Sequence, residues 1–207
     1  KDPSEISRKD EIWESANGLI SIAGGKLTGY RKMAETIVDK TAKRLFKDTG
    51  KKYGSSITKH LPLSGGDFGG SANFGGFVSQ TALSAGQFGL SPEEGRMLAQ
   101  FFGTNAGKVF GYYQQMPETN PQGLPKSLAA IVKYAIEDEM ALTPADFFVR
   151  RTGDLFFHIT DVVRYKESVL EFMAHELDYS EEQKTQYRNE LNEEIERATR
   201  HVRGALQ

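Results

Sequence analysis

The stretch best equipped for chemistry is Gly24-Gly25-Lys26-Leu27-Thr28-Gly29. It follows a short apolar, β-branched run over residues 19–23. It precedes a helical periodicity carried by Tyr30, Met33, Ala34, Ile37, Val38, Thr41, Leu45 and Phe46. The spacing therefore places it where a strand passes into a helix. Unpaired amide N–H groups point out of such a junction, and the helix dipole adds partial positive charge. Glycines let an anion or a ring edge approach the backbone closely, and Lys26 brings a full charge to the mouth. These residues predict a seat for a phosphate, a carboxylate or a reduced flavin ring. A plain turn that needs only small residues, with Lys26 in solvent, would use the same sequence. The spacing is neither a GxxxxGK[ST] phosphate loop nor a GxGxxG dinucleotide fingerprint.

The elements around this junction read as follows. Residues 1–18 are polar, punctuated by Pro3, Asn17 and Gly18. Thr28 is expected to cap the helix that follows. One strand and one helix cannot cover both faces of anything, so this unit calls for a sheet that the chain does not contain. A basic, glycine-containing connector follows (KDTGKKYGSS), and then a glycine-rich loop over residues 61–76. Beyond it the pattern is helical. Ser91-Pro92-Glu93-Glu94 combines a serine cap, a first-turn proline and a capping-box glutamate for a helix through Phe102. Further helices are predicted over 105–116, 125–140 and 161–177, with a short one starting at Thr143-Pro144-Ala145-Asp146. Ser180 and Gln183 form a second capping box, for a charged helix reaching toward Val202. The sequence carries no β pattern after residue 60 and no internal repeat.

Of the 207 residues, 38% are hydrophobic and 26% charged, a balance suited to a soluble globular fold. The net charge of −2 supplies no bulk attraction to nucleic acid, and none is expected as a partner. No apolar window is long enough to span a bilayer, and the polar N-terminus does not read as a signal peptide. Without cysteine, disulfides, thiolate metal sites and thiol nucleophiles are excluded. His60, His158, His175 and His201 show no metal-site spacing, so no metal is expected. The acidic run Glu137-Asp138-Glu139 reads as a solvated face or as an internal partner of Arg150-Arg151. That arginine pair reads as helix C-terminal cations. Phe101, Phe102, Phe110, Tyr112 and Tyr113 read as core at helical spacing.

Three ordered blocks carry a resemblance to a known family. The first is SRKDEIW…NGLISIAGGKLTGYRKMAE (residues 7–35), with GGKLTGYRKMAE matching almost residue by residue. The second is TKHLPLSGGDFGG (58–70), and the third is YAIEDEMALTPADFFVRRTGDLFF (134–157). Together they are similar to the C-terminal portion of FAD-dependent, quinone-linked aerobic glycerol-3-phosphate dehydrogenases, relatives of the α-glycerophosphate oxidases.

The resemblance implies a mostly α fold: an all-helical C-terminal cap preceded by a strand–Gly loop–helix remnant of an α/β FAD-binding domain. It divides the chain into 1–47 (edge of the FAD and substrate domain), 48–65 (connector) and 66–207 (cap). The implied activity is oxidation of sn-glycerol 3-phosphate to dihydroxyacetone phosphate, with electrons passed to quinone. The alternatives are an oxidase passing electrons to oxygen, or a non-catalytic helical interaction module. The implied cofactor is FAD, contacted by Gly25, Lys26, Leu27 and Thr28. The implied substrate ligands are Arg8, whose planar fork suits phosphate, and Lys26. The family's glycine fingerprint and catalytic histidine have no match here, so no catalytic residue is expected in this chain. An N-terminal FAD domain is an expected partner, and the chain alone is expected to bind FAD poorly and to be inactive. A homo-oligomer is left open. The resemblance implies a cytoplasmic protein, peripheral to the inner face of the cell membrane.

Overall fold

The computed structural model describes residues 10–24 and 27–200. The chain divides into two compact units, Lys1–Leu63 and Ser64–Gln207.

The first unit holds a hairpin and a helix. Strand β1 (Glu11–Glu14) pairs antiparallel with β2 (Ile20–Ala23), in a register that sets Ile12 opposite Ile22 and Glu14 opposite Ile20. The turn is closed by Ser15 N–H to the Leu19 carbonyl and Gly18 N–H to the Ser15 carbonyl, both at 2.9 Å. Gly18 sits at φ +87°, which a side chain would resist. β1 falls in the segment that reads as merely polar. Its four residues EIWE are all exposed, so pairing makes the strand and apolar burial does not. After a 3-10 turn (Leu27–Gly29), helix α1 runs from Tyr30 to Thr49. It is tied to the hairpin through Glu14, which pairs with Lys40 at 2.9 Å and Arg44 at 3.0 Å. It ends at left-handed Gly50, whose N–H bonds the Phe46 carbonyl. No residue of α1 is buried among the described residues.

Among its described residues the second unit holds helices and the turns that join them, with no strand. Its helices are α2 (Phe74–Ser84), α3 (Pro92–Phe102), α4 (Ala106–Gln115), α5 (Lys126–Glu139), α6 (Asp154–Phe157), α7 (Ile159–Leu177) and α8 (Glu181–Thr199). Both capping boxes form. Ser91 Oγ accepts from Glu94 N–H at 3.2 Å while the Glu94 carboxylate accepts from Ser91 N–H at 2.9 Å, and Ser180 and Gln183 repeat the pattern. α8 ends at Thr199, short of Val202, which lies outside the described residues.

The short helix expected from Thr143 is a π-helical turn, Asp146–Arg151. Thr143 precedes it, its Oγ1 accepting from Asp146 N–H at 3.1 Å, while Ala145 holds the capping position. Phe147 and Phe148 are both buried there, their rings 5.0 Å apart and edge-on. A π turn has more residues per turn than an α turn, so consecutive side chains diverge less and both can face inward.

Two hydrophobic clusters fill this unit. One gathers Val78, Leu98, Val109 and Phe110 from α2–α4. The other gathers Val132, Phe147, Phe148, Val169, Met173 and Leu191. α5 serves both, giving Ala130 and Tyr134 to the first and Ala129, Val132 and Ala135 to the second. The mostly α fold implied by the resemblance is borne out.

Candidate functional site

The strand-to-helix junction is present: β2 ends at Ala23, and Leu27, Thr28 and Gly29 form the 3-10 turn that leads into α1. Arg8, Gly25 and Lys26 lie outside the described residues. Thr28 does not cap the helix. The capping position falls to Gly29, and no side-chain cap bond forms. The reason is local: the chain already curls at Leu27, so Thr28 sits inside a helical turn and not ahead of one.

Among the described residues nothing covers the mouth of this turn. Leu27 is 93% exposed, Tyr30 is 60% exposed, and a Cβ placed on Gly29 would meet nothing within 4 Å. Gly24 differs, because a Cβ there would collide with the Met33 thioether and lie 2.8 Å from Asp10 Oδ1. Gly24 therefore serves close packing of the turn on α1, and Gly29 leaves the approach clear.

The first turn of α1 carries no acidic residue, and Arg31 and Lys32 stand there instead. Cations at a helix N-terminus oppose the dipole, so this end is electropositive unless an anion compensates it. Glu35 supplies part of that compensation, meeting Arg31 and Lys32 at 2.5 Å each. Hydrogen bonds from Lys32 and then Arg31 hold its carboxyl down at about 2. Arg31 also donates to Thr58 Oγ1 at 3.1 Å. Sequence reasoning passed over this trio, although its i,i+3 and i,i+4 spacing was available as a signal. Among the described residues, an uncapped turn with basic flanks is a place where an anionic group can approach the backbone.

Among the described residues no group of three metal-ligating side chains exists. His158 Nδ1 lies 2.9 Å from Asp154 Oδ1, and His201 lies outside the described residues. The acidic run is shared out. Glu137 pairs with Lys133 at 2.6 Å, and Asp138 pairs with Lys108 and accepts from Tyr112 Oη at 3.0 Å. Arg151 donates from Nε to the Glu139 carbonyl at 2.8 Å, satisfying the C-terminus of α5 and not that of its own turn. Arg150 turns instead to Asp146 at 2.8 Å. Phe102 and Phe110 are core, but Phe101 is 55% exposed.

Comparison with known proteins agrees with the three blocks. The chain is 48% identical over 198 residues to an aerobic glycerol-3-phosphate dehydrogenase of Staphylococcus epidermidis, covering 96% of this chain and 35% of that protein. It is 48% identical over 193 residues to the one of Bacillus subtilis, covering 93% and 35%. The X-ray structure of the glycerol-3-phosphate dehydrogenase from Bacillus halodurans complexed with FAD superposes with a TM-score of 0.83. It is 42% identical and covers 93% of this chain and 38% of that one. The chain thus spans little more than a third of the length of these relatives. The family model of the C-terminal domain of alpha-glycerophosphate oxidase matches residues 56–184. With well over half its length under that match, this chain belongs to the family of alpha-glycerophosphate oxidase C-terminal domains.

Proposed function

We propose that the chain is the C-terminal part of an FAD-dependent enzyme that oxidises sn-glycerol 3-phosphate to dihydroxyacetone phosphate and passes electrons to quinone. The observation that carries this reading is the 48% identity to aerobic glycerol-3-phosphate dehydrogenases along almost the whole chain. The open, basic turn at the head of α1 supports it. FAD, when bound, supplies a two-electron acceptor. In this reading the amides of Leu27 and Thr28, with Gly25 and Lys26, stabilise negative charge at the ring edge. Lys26 and Arg8 bind the substrate, Arg8 at its phosphate. The enzyme works in the cytoplasm at the inner face of the membrane, where its acceptor resides. Transfer to oxygen is the second reading, favoured by the family model's own description as an oxidase domain.

The test joins this chain to the remaining N-terminal portion of the Bacillus subtilis relative. The joined protein should retain FAD and reduce a quinone analogue with glycerol 3-phosphate, forming little hydrogen peroxide. Lys26→Ala should lower turnover by about tenfold or more, as the loss of a preorganised charge does. A joined protein that holds FAD but ignores glycerol 3-phosphate would overturn the reading. Stoichiometric peroxide would favour the oxidase.

A further inference from the structure

Where the two hydrophobic clusters meet, a cleft of about 320 Å³ opens between α3, α5 and the segment from Thr152 to Asp161. That volume lies at the lower end of the roughly 300–1,000 Å³ typical of small-molecule sites. Its floor is core: Leu98, Phe102 and Phe147. Its walls are less ordinary. Met97 and Phe101 are 51% and 55% exposed, and Leu128 and Ile131 are only half-buried. The apolar lining is therefore left uncovered in the middle of an otherwise well-packed unit.

The rim sets the chemistry, and its hydrogen-bonding capacity can be counted. Thr152 Oγ1 donates to the Phe147 carbonyl and accepts from Asp154 N–H, both at 3.2 Å, so its donor is spent. Asp154 Oδ1 faces His158 Nδ1 at 2.9 Å. A carboxylate accepts, so Nδ1 is the donor of this pair and the ring is held against Asp154. Asp161 adds a second carboxylate. Among the described residues no lysine or arginine lines the cleft. The result is an apolar slot whose rim carries the carboxylates of Asp154 and Asp161. An anionic ligand would meet two like charges, and a purely apolar one would leave the rim unused.

We propose that this cleft binds a small molecule with a flat aromatic body and a protonated amine, the ring between Phe101 and Ile131 and the ammonium on Asp154 and Asp161. The inference uses none of the residues assigned to the flavin and substrate, and it stands whether or not that reading holds.

Methionine supplies a local probe. The chain has five methionines, and Met97 is the one that lines this cleft. The full chain, labelled with ¹³C at the methionine methyls, is titrated with 1-naphthylmethylammonium, 1-naphthylmethanol and 1-naphthoate. Met97→Leu assigns the resonance. The amine should shift Met97 saturably and leave Met33 in place. It should bind about tenfold more tightly than the naphthoate, a difference of about 1.4 kcal/mol. Asp161→Asn, at an exposed position, should weaken the amine about threefold, in line with a rim charge, and leave the alcohol unchanged. Unshifted methionine signals elsewhere show that the variant is folded. An unmoved Met97, a naphthoate that binds as well as the amine, or an Asp161→Asn variant with unaltered amine affinity would each overturn the proposal.

Discussion

Gly95 and Gly107 both lie inside α-helices, yet replacing each with alanine should move stability in opposite directions. On an open helix surface the exchange gains about 0.5–1 kcal/mol, because glycine loses more backbone freedom on folding. Gly107 in α4 is such a site: it is exposed, and a Cβ there meets nothing within 4 Å. Gly95 in α3 is buried against the end of α2. Its Cβ would fall on the Ala85 methyl and stand 3.1 Å from the Ala82 carbonyl oxygen and 3.2 Å from Ala82 Cα. Backbone atoms cannot rotate away, so the two helices would have to separate. Overpacking of this kind costs about 1–3 kcal/mol, and hard backbone contacts put it in the upper half of that range. Subtracting the propensity gain leaves a net loss of about 1–2.5 kcal/mol. For a domain of this size each kcal/mol moves Tm by about 2–4 °C, so Gly95→Ala should lower it by about 2–10 °C and Gly107→Ala raise it by about 1–4 °C. Thermal unfolding of the full chain, followed by far-ultraviolet circular dichroism, reads both. Adding Ala85→Gly to Gly95→Ala removes one collision and should recover part of the loss. A Gly95→Ala protein that melts at or above the parent temperature would refute the close approach of α2 and α3 as a determinant of this core.

Gly103→Ala should be more damaging still, since Gly103 holds φ +55° and its Cβ would strike the Gly65 carbonyl. Strain and overpacking together predict a loss of about 2–4 kcal/mol, measurable by urea unfolding. Ser91→Ala removes the acceptor for Glu94 N–H and should cost about 0.5–2 kcal/mol, while Ser91→Asp should keep most of the stability. Glu35 gives a pH prediction. Its carboxyl is held at about 2 against an ordinary 4.5, so the contribution of its contacts is present above about pH 4.5 and fades as pH falls through about 2. A carboxyl ¹³C titration should show that low midpoint, and Lys32→Ala should return it toward 4.5. An unchanged midpoint would mean that Lys32 is not the main cause.

The sequence by itself determined the features whose causes are local. Both capping boxes, the extents of α3 and α5, and the strand–turn–helix order around residues 19–49 follow from neighbours a few positions apart. Backbone caps and helical periodicity act over that range. The three blocks determined the family, because residue order survives where geometry is unseen. Features that need a partner from elsewhere in the chain were decided only in three dimensions. β1 exists because Glu11–Glu14 meets β2, and nothing in EIWE announces it. Thr28 lost its capping role to a 3-10 turn that begins one residue earlier. The π turn at Asp146–Arg151 arises because two consecutive phenylalanines must both enter one core. The candidate site was half legible. Its glycines and Lys26 stand out as a motif, but the openness before Gly29 and the pairing of Arg31 and Lys32 with Glu35 depend on where side chains turn. The cleft beside Phe101 was not legible at all. Its lining comes from four separate stretches between residues 97 and 161, and only packing brings apolar walls and an acceptor rim into one place.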